Sequence, residues 1–294
     1  MRMLEQKISD AGPNPQRIDP HVLTKCRNSL TKEGRLATRT ENKNQWHFLT
    51  ESDADFVENR FRELVPFHAL TESHAFTSRM GQTAEIAVQR AMQTSKLHFF
   101  GHFSDLQLHD DSTLYTKLDP DFFSGIPILG GKLDYIVVNP DVGGIGIEIK
   151  NTREWVYPDK SIVKHLLDKC VQIDVVPVLM ARRIHYSTFS VLNACGVVIH
   201  QFYNQLYPSS DASFAKQISE KNNLGYFDVR VGNNPDARLL RFFQNSLPVT
   251  VEDARSKFNE HKPLIGDYVQ GNITYSQFVS RLRGRDEEDD AEPF

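Results

Sequence analysis

The chain has 294 residues, with 34 Lys plus Arg against 38 Asp plus Glu, 39% hydrophobic residues, 19 Phe and 9 Tyr. The charged share of 24% is that of an ordinary soluble chain, and the aromatic residues suffice for a sizeable core. This excludes a mostly disordered, collagen-like or disulfide-scaffold protein.

Cys26, Cys170 and Cys195 form no CxxC, which argues against a Cys-rich zinc site and for reduced thiols. No apolar run approaches the ~20 residues of a membrane helix, and the first residues lack a signal-peptide pattern. A soluble, cytoplasmic protein without a membrane partner is the expectation. The net charge of −4 is unevenly placed. Asp286 to Phe294 carries six acidic groups and no basic one, whereas residues 1–50 hold nine Lys or Arg against five acids. Near-neutrality therefore neither excludes nor suggests a polyanionic partner.

At about 150 residues per domain the chain allows one large domain or two smaller ones. Residues 1–50 read as a polar N-terminal arm rich in X-Pro dipeptides, with a short helix near His21 to Leu30. Phe56, Val57, Phe61 and Leu64 have helical spacing over Asp53 to Leu64, with Pro66 as a stop. Ser78 to Gln93 predicts a second helix whose apolar face is Ala84, Val88, Ala91 and Met92. Gly131 to Asn139 and Ile145 to Lys150 predict an antiparallel hairpin about the turn Pro140 to Gly144.

Ser161 to Ile173 predicts a helix. Val175 to Ala181 predicts a strand covered on both faces, with Pro177 suggesting a place near an edge. A short helix at Tyr186 to Ala194 and a buried strand at Gly196 to Phe202 follow. This order implies an α/β or α+β core over about 78–205. Residues 207–236 are less defined, and a helical C-terminal segment follows. Thr250 and Thr274 read as helix caps, the latter with Gln277 as a capping box. The acidic tail, 286–294, reads as a disordered segment.

Within the hairpin, Asp134 lies in the first strand and Glu148 and Lys150 in the second. Strand alternation sends Gly146, Glu148 and Lys150 to one face and Ile145, Ile147 and Ile149 to the other. Pairing brings Asp134 beside Glu148. Two carboxylates held a few Å apart repel one another and lose hydration. A divalent cation with a preference for hard oxygen ligands removes that repulsion.

These residues resemble the PD-(D/E)XK nuclease superfamily, which includes restriction endonucleases and archaeal-type Holliday junction resolvases. The resemblance rests on Asp134, thirteen intervening residues and Glu148-Ile149-Lys150, preceded by a GxxxE helix at Gly81 to Glu85 and followed by a helix and a strand. It covers roughly residues 78–205, and Leu133 stands where the nominal motif has Pro. It implies a restriction-endonuclease-like α/β core at 51–206, a central mixed sheet flanked by helices, with a partly helical region at 207–285 beyond it.

The resemblance also implies Mg²⁺ or Mn²⁺ held by Asp134, Glu148 and the carbonyl of Ile149, with Glu85 as an outer or second-metal ligand. Lys150 would be the catalytic lysine, and Gln172 an accessory residue near the site. The implied activity is hydrolysis of DNA phosphodiesters, with RNA open. By family analogy, cutting both strands would call for a homodimer.

Weaker signals surround this set. Arg153 could meet a phosphate, and Trp155 or Tyr157 could stack on a base or simply pack a loop. His98 and His102, with His109 beyond, have metal-ligand spacing on a helix, but their phenylalanine neighbours favour an incidental cluster. Arg182-Arg183 and the arginines 281, 283 and 285 could contact a nucleic-acid backbone or form a solvated surface. No GxxxxGK[ST] is present. The competing classes are a binding or assembly module with the same fold and an unrelated small-molecule hydrolase.

Overall fold

The computed structural model describes residues 4–5, 8–9, 18, 20–104, 106, 112–158 and 160–284. The acidic tail, Arg285 and His109 lie outside the described residues. In chain order the elements are α1 (Pro20–Lys32), β1 (Leu36–Glu41), β2 (Asn44–Leu49), α2 (Ala54–Glu72), α3 (His74–Thr94), β3 (His98–Phe100), β4 (His102–Phe103), β5 (Lys117–Leu118), β6 (Phe122–Phe123) and β7 (Ile126–Pro127). There follow β8 (Tyr135–Asn139), β9 (Gly143–Lys150), α4 (Ser161–Gln172), β10 (Val176–Ala181), α5 (Tyr186–Ala194), β11 (Val198–Gln201), β12 (Gln205–Tyr207), α6 (Ala212–Ser219), β13 (Val229–Val231), α7 (Ala237–Arg241), α8 (Leu247–Gln270) and α9 (Tyr275–Leu282). The protein is thus mixed α/β. Among the described residues no helix is long and apolar enough to cross a membrane.

The chain divides into two compact units, one within residues 1–80 plus 204–232 and the other within 81–203 plus 233–294. These are not the expected segments 1–50, 51–206 and 207–285. The residues after β11 return to the first unit and then leave it, a nesting that no local composition change announces.

In the first unit the expected arm contains a helix and a hairpin. β1 and β2 pair antiparallel from Leu36↔Leu49 to Glu41↔Asn44. Asn42 and Lys43 both adopt positive φ at the turn, 49° and 66°, as a tight hairpin turn demands. The strands are half-exposed and polar, so their alternation is faint. Trp46 meets Phe61 and His68 of α2 edge-on at 5.7 and 5.5 Å. The Asp53 side chain caps α2, which continues past Pro66 to Glu72 instead of stopping. One proline removes one helical hydrogen bond, and the flanking turns carry the helix on. The expected irregular stretch 207–236 holds α6 and β13, the latter paired parallel with β12 at its start, and α6 buries Ala215 and Ile218 in a cluster with Phe76, Tyr207 and Tyr226.

The second unit is built on a five-stranded sheet in the order β11-β10-β9-β8-β3. β3, β8 and β9 are antiparallel neighbours, and β9, β10 and β11 are parallel. The expected hairpin is present, with register Tyr135↔Ile147 to Asn139↔Gly143. Every residue of β10 is buried, and the strand lies inside the sheet, not near an edge. Pro177 is in register with Gly146 of β9, and the ladder to β11 begins only at Val178, one residue after it.

On one face, Leu166, Leu167 and Cys170 of α4 form a common core with Phe258 and Ile265 of α8 and Phe278 of α9. The α3 face behaves as its spacing predicts: Ala84, Val88, Ala91 and Met92 are fully buried. A Cβ on Gly146 would come within 2.8–3.0 Å of Leu133, Val175 and Cys170, so the Glu148 face of β9 is the one that this α4 core covers. Thr274 and Gln277 form the predicted capping box on α9. Thr250 is not a cap. It lies inside α8, where its hydroxyl donates to the Ser246 carbonyl at 2.9 Å.

Candidate active site

The hairpin ladder ends in a fork, and the fork presents the acids. The Asp134 N–H donates to the Ile147 carbonyl at 3.1 Å, one step beyond the register pair Tyr135↔Ile147. Asp134 thus lies just past the last register pair, at the end of the hairpin where Glu148 follows Ile147. At the next step the strands part, and the Ile149 N–H donates to Asp134 Oδ2 at 2.6 Å in place of a main-chain acceptor. In an extended strand a residue's N–H and C=O point to the same side, so the Ile149 carbonyl is directed toward the Asp134 edge.

The close approach of β3 depends on Gly101. Its φ is +92°, and a Cβ there would fall 2.6 Å from the Asp134 carbonyl oxygen. Gly81 is different: a Cβ at this glycine of the GxxxE pattern would lie 3.9 Å from Glu85 Oε1, an ordinary contact, so crowding does not require glycine there.

Three lysines are threaded among these acids. Lys150 Nζ is 2.9 Å from Glu148 Oε1. Lys169 Nζ, from the last turn of α4, is 2.7 Å from Glu148 Oε2 and donates to the Lys132 carbonyl at 2.7 Å. Lys117 Nζ, from β5, is 2.7 Å from Glu85 Oε2, 3.1 Å from Asp119 Oδ1 and 3.4 Å from Asp134 Oδ1. It also sits over the Tyr135 ring at 4.3 Å. Helix α3 frames this lysine. The Gln89 side chain accepts from the Phe103 N–H, and Gln82 bonds both the N–H and the carbonyl of Tyr115. The Tyr135 hydroxyl donates to the Glu85 carbonyl at 2.9 Å, tying α3 to β8.

Electrostatics separate the two hairpin acids. Burial, then the Glu85 carboxylate, push the Asp134 pKa up to about 7; Lys117 opposes them, Glu148 adds to the rise and Lys150 counters it. Burial alone would also raise Glu148, but the ammonium groups of Lys150 and Lys169 outweigh it and hold that carboxyl below its ordinary range. Burial alone would lower Lys150 and Lys117. The facing carboxylates raise both instead, Glu148 foremost for Lys150 and Asp134 foremost for Lys117.

Asp134, Glu148, Ile149, Lys150 and Glu85 thus share one charged network. Lys117 and Lys169 belong to it and were not singled out in the sequence. Lys169 carried a signal: it falls between Leu166 and Ile173 on the inward stripe of α4. Lys117 sits among Thr116, Leu118 and Asp119, and nothing local marks it.

Gln172 is engaged with a loop, its amide bonding the N–H of Leu129 at 2.7 Å and the carbonyl at 3.3 Å. Trp155 and Tyr157 both pack on His185, the latter stacked at 5.0 Å. Arg153 is half-buried, and its carbonyl receives a hydrogen bond from Arg182.

Arg182 and Arg183 are not a solvated patch. Arg182 is fully buried and also donates to the Thr152 carbonyl at 3.2 Å, anchoring the chain just after Lys150. Arg183 is buried over the Tyr203 ring at 4.7 Å. Arg281 and Arg283 are exposed. His98 and His102 are exposed and lie on the separate strands β3 and β4, so the helical metal-binding spacing does not apply.

Among the described residues, no three His, Cys, Asp or Glu side chains converge as a metal cage. A cation here would rest on one or two carboxylates, as Mg²⁺ commonly does. Comparison with known proteins finds no matching family, no matching curated protein and no matching solved structure.

Proposed function

We propose that the protein is a metal-dependent nuclease of the PD-(D/E)XK kind that hydrolyses DNA phosphodiesters. The observation that carries this reading is the hairpin end: Asp134 and Glu148 each lie one residue past the last register pair Tyr135↔Ile147, with Lys150 Nζ 2.9 Å from the Glu148 carboxylate. A mixed sheet with a GxxxE helix before the fork, and α4 and β10 after it, supports a restriction-endonuclease-like core.

The donor set suits a hard divalent cation. Asp134 and Glu148 supply carboxylate oxygens, and Ile149 directs its carbonyl to the same edge. Crowding of Asp134 by Glu85 and Glu148 is relieved by added positive charge. When bound, Mg²⁺ or Mn²⁺ polarises a phosphoryl oxygen and makes water more acidic. Lys150 orients the attacking water and neutralises charge developing on the phosphate. Glu148 holds the Lys150 ammonium in place. The Ile149 N–H fixes the Asp134 carboxylate, and Arg182 anchors the chain that follows Lys150. Water attack forms one P–O bond as another breaks, and the departing oxygen takes a proton.

The test is cleavage of plasmid, linear, branched and single-stranded DNA with Mg²⁺ or Mn²⁺, with and without chelator. Metal-dependent cleavage lost in Lys150→Ala supports the reading. No cleavage of any substrate, or cleavage undiminished in Lys150→Ala, rejects it. A second reading, a DNA-binding or assembly module with the same fold, draws on the lysines that already neutralise the acids. Binding without cleavage would favour it.

A further inference from the structure

The second unit holds a cavity of about 580 Å³ beside β11, the terminal strand of its sheet, within the size range of small-molecule sites. Helix α5 contributes Phe189 to its wall. The chain from Phe242 into α8 contributes Thr250 and Lys257 among others, at the spacing of one helix face. Phe189 is 40% exposed and Val249, also in the lining, 80%. The His200 and Phe242 rings pack in the wall with centroids 4.6 Å apart.

The charges of the lining are one-sided. Asp253 is its one acid among the described residues, and Lys257 Nζ lies 2.6 Å from it. Arg238 and Arg241 remain. They are exposed, they are three residues apart on α7 and therefore neighbours on its surface, and among the described residues no carboxylate pairs with either. The Arg238 guanidinium lies over the Tyr203 ring at 4.3 Å, and Arg183 approaches the same ring at 4.7 Å. Tyr203 has φ +63°, a strained conformation for an aromatic residue.

Register ties this cavity to Lys150. Lys150, Ala181 and Gln201 are level across β9, β10 and β11, and Gln201 lines the cavity. At a strand spacing of about 4.8 Å, the main chain at Gln201 is roughly 10 Å from that at Lys150. Both lie at the carboxyl ends of parallel strands, outside which open α/β sheets bind their ligands. Aromatic and aliphatic faces beside unpaired guanidinium groups suit a nucleotide whose base is unstacked. A base pair inside a duplex offers only its edges.

We propose that the cavity is a nucleic-acid subsite that takes an unpaired nucleotide of the strand reaching Lys150, with the base against Phe189 and Val249 and its flanking phosphates on Arg238 and Arg241. The choice of nucleic acid over other amphipathic anions rests on the nuclease reading above. The substrate is then DNA with an unpaired stretch beside the cut, not an unbroken duplex.

The test is binding to the full chain by fluorescence anisotropy, with chelator present so that no cleavage intervenes. The probes are a labelled oligothymidylate and a blunt duplex of the same length. The expected result is tighter binding of the single strand. Arg238→Ala combined with Arg241→Ala should weaken it by roughly 10–100-fold and lower the slope of log affinity against log salt by about 1.4, at about 0.7 per phosphate. Arg238→Lys combined with Arg241→Lys should keep the wild-type slope. Phe189→Ala should weaken single-strand binding by roughly tenfold and leave the slope unchanged. Circular dichroism verifies folding. A duplex bound as tightly as the single strand, or a folded double alanine variant with unchanged affinity and slope, overturns the subsite; metal-dependent plasmid cleavage alongside either result leaves the nuclease reading standing. The expected binding pattern with no cleavage of any DNA supports the subsite and rejects the nuclease reading.

Discussion

Asp134 and Glu148 both lie at the end of one hairpin, just past its last register pair, yet their ionisation is shifted in opposite directions. Both are carboxylates, and burial raises the pKa of each. The difference lies in what reaches them from the neighbouring elements. Lys169 of α4 and Lys150 of β9 each approach within 3 Å of Glu148. Asp134 is placed beside Glu85 of α3, and its nearest ammonium is shared with two other acids. Two side chains alike in chemistry are thus tuned apart: one is held below the ordinary carboxylate range, and the other is raised to about 7.

The sharpest way to break this comparison is Lys150→Ala. It removes the exposed partner of Glu148, and under the nuclease activity proposed above cleavage is expected to fall by ~10²–10⁴-fold, the range of a positioned proton-transfer or charge-stabilising group. Kinetics on a cleaved DNA substrate would check this, with thermal melting showing the fold retained. Next is Glu148→Ala. It strands Lys169, whose side chain is only 8% exposed, and should cost about 3–5 kcal/mol, the usual penalty for halving a buried pair. Urea titration measures it, and a change below about 1 kcal/mol would mean that water reaches Lys169 freely.

Asp134→Asn probes the opposite partner. In the folded chain this carboxyl keeps its proton up to about pH 7. An unfolded Asp releases its proton near pH 3.9. Between these values the folded state binds more protons, so the residue's contribution to stability falls as pH rises. The melting temperature of Asp134→Asn relative to wild type should therefore climb from about pH 4 to pH 7 and then level off. A gap independent of pH would contradict the raised ionisation. For Glu148 the sign is reversed: its contribution is present above the unfolded carboxylate pKa and is lost on acidification.

The smallest expected effect is at Gly101→Ala. The substitution combines a left-handed φ with a close approach to the Asp134 carbonyl, and should cost about 1–3 kcal/mol. It should also loosen the Asp134 side of the fork more than the Glu148 side. Amide exchange at Ile149, whose N–H is bonded to Asp134, reports this directly.

The amino-acid sequence by itself determined the sheet hairpin, the inward face of α3, the α4–β10–α5–β11 succession and the capping box at Thr274. Each of these rests on local periodicity or on a turn of fixed length, which act over a few residues. The spacing of Asp134 and Glu148 was legible for the same reason, since a hairpin's register follows from its turn.

Only the tertiary structure decided which cations meet those acids. Lys117 and Lys169 lie 17 and 35 residues from Asp134 in the chain, and they reach the fork through β5 and α4. Arg182 reads as a surface charge until its guanidinium is seen folded against the Thr152 and Arg153 carbonyls. The nesting of residues 204–232 with the first unit was equally hidden. Coulomb interactions and burial depend on distance in space, not along the chain. A list of residues in order therefore names the acids but does not assign the charges that tune them.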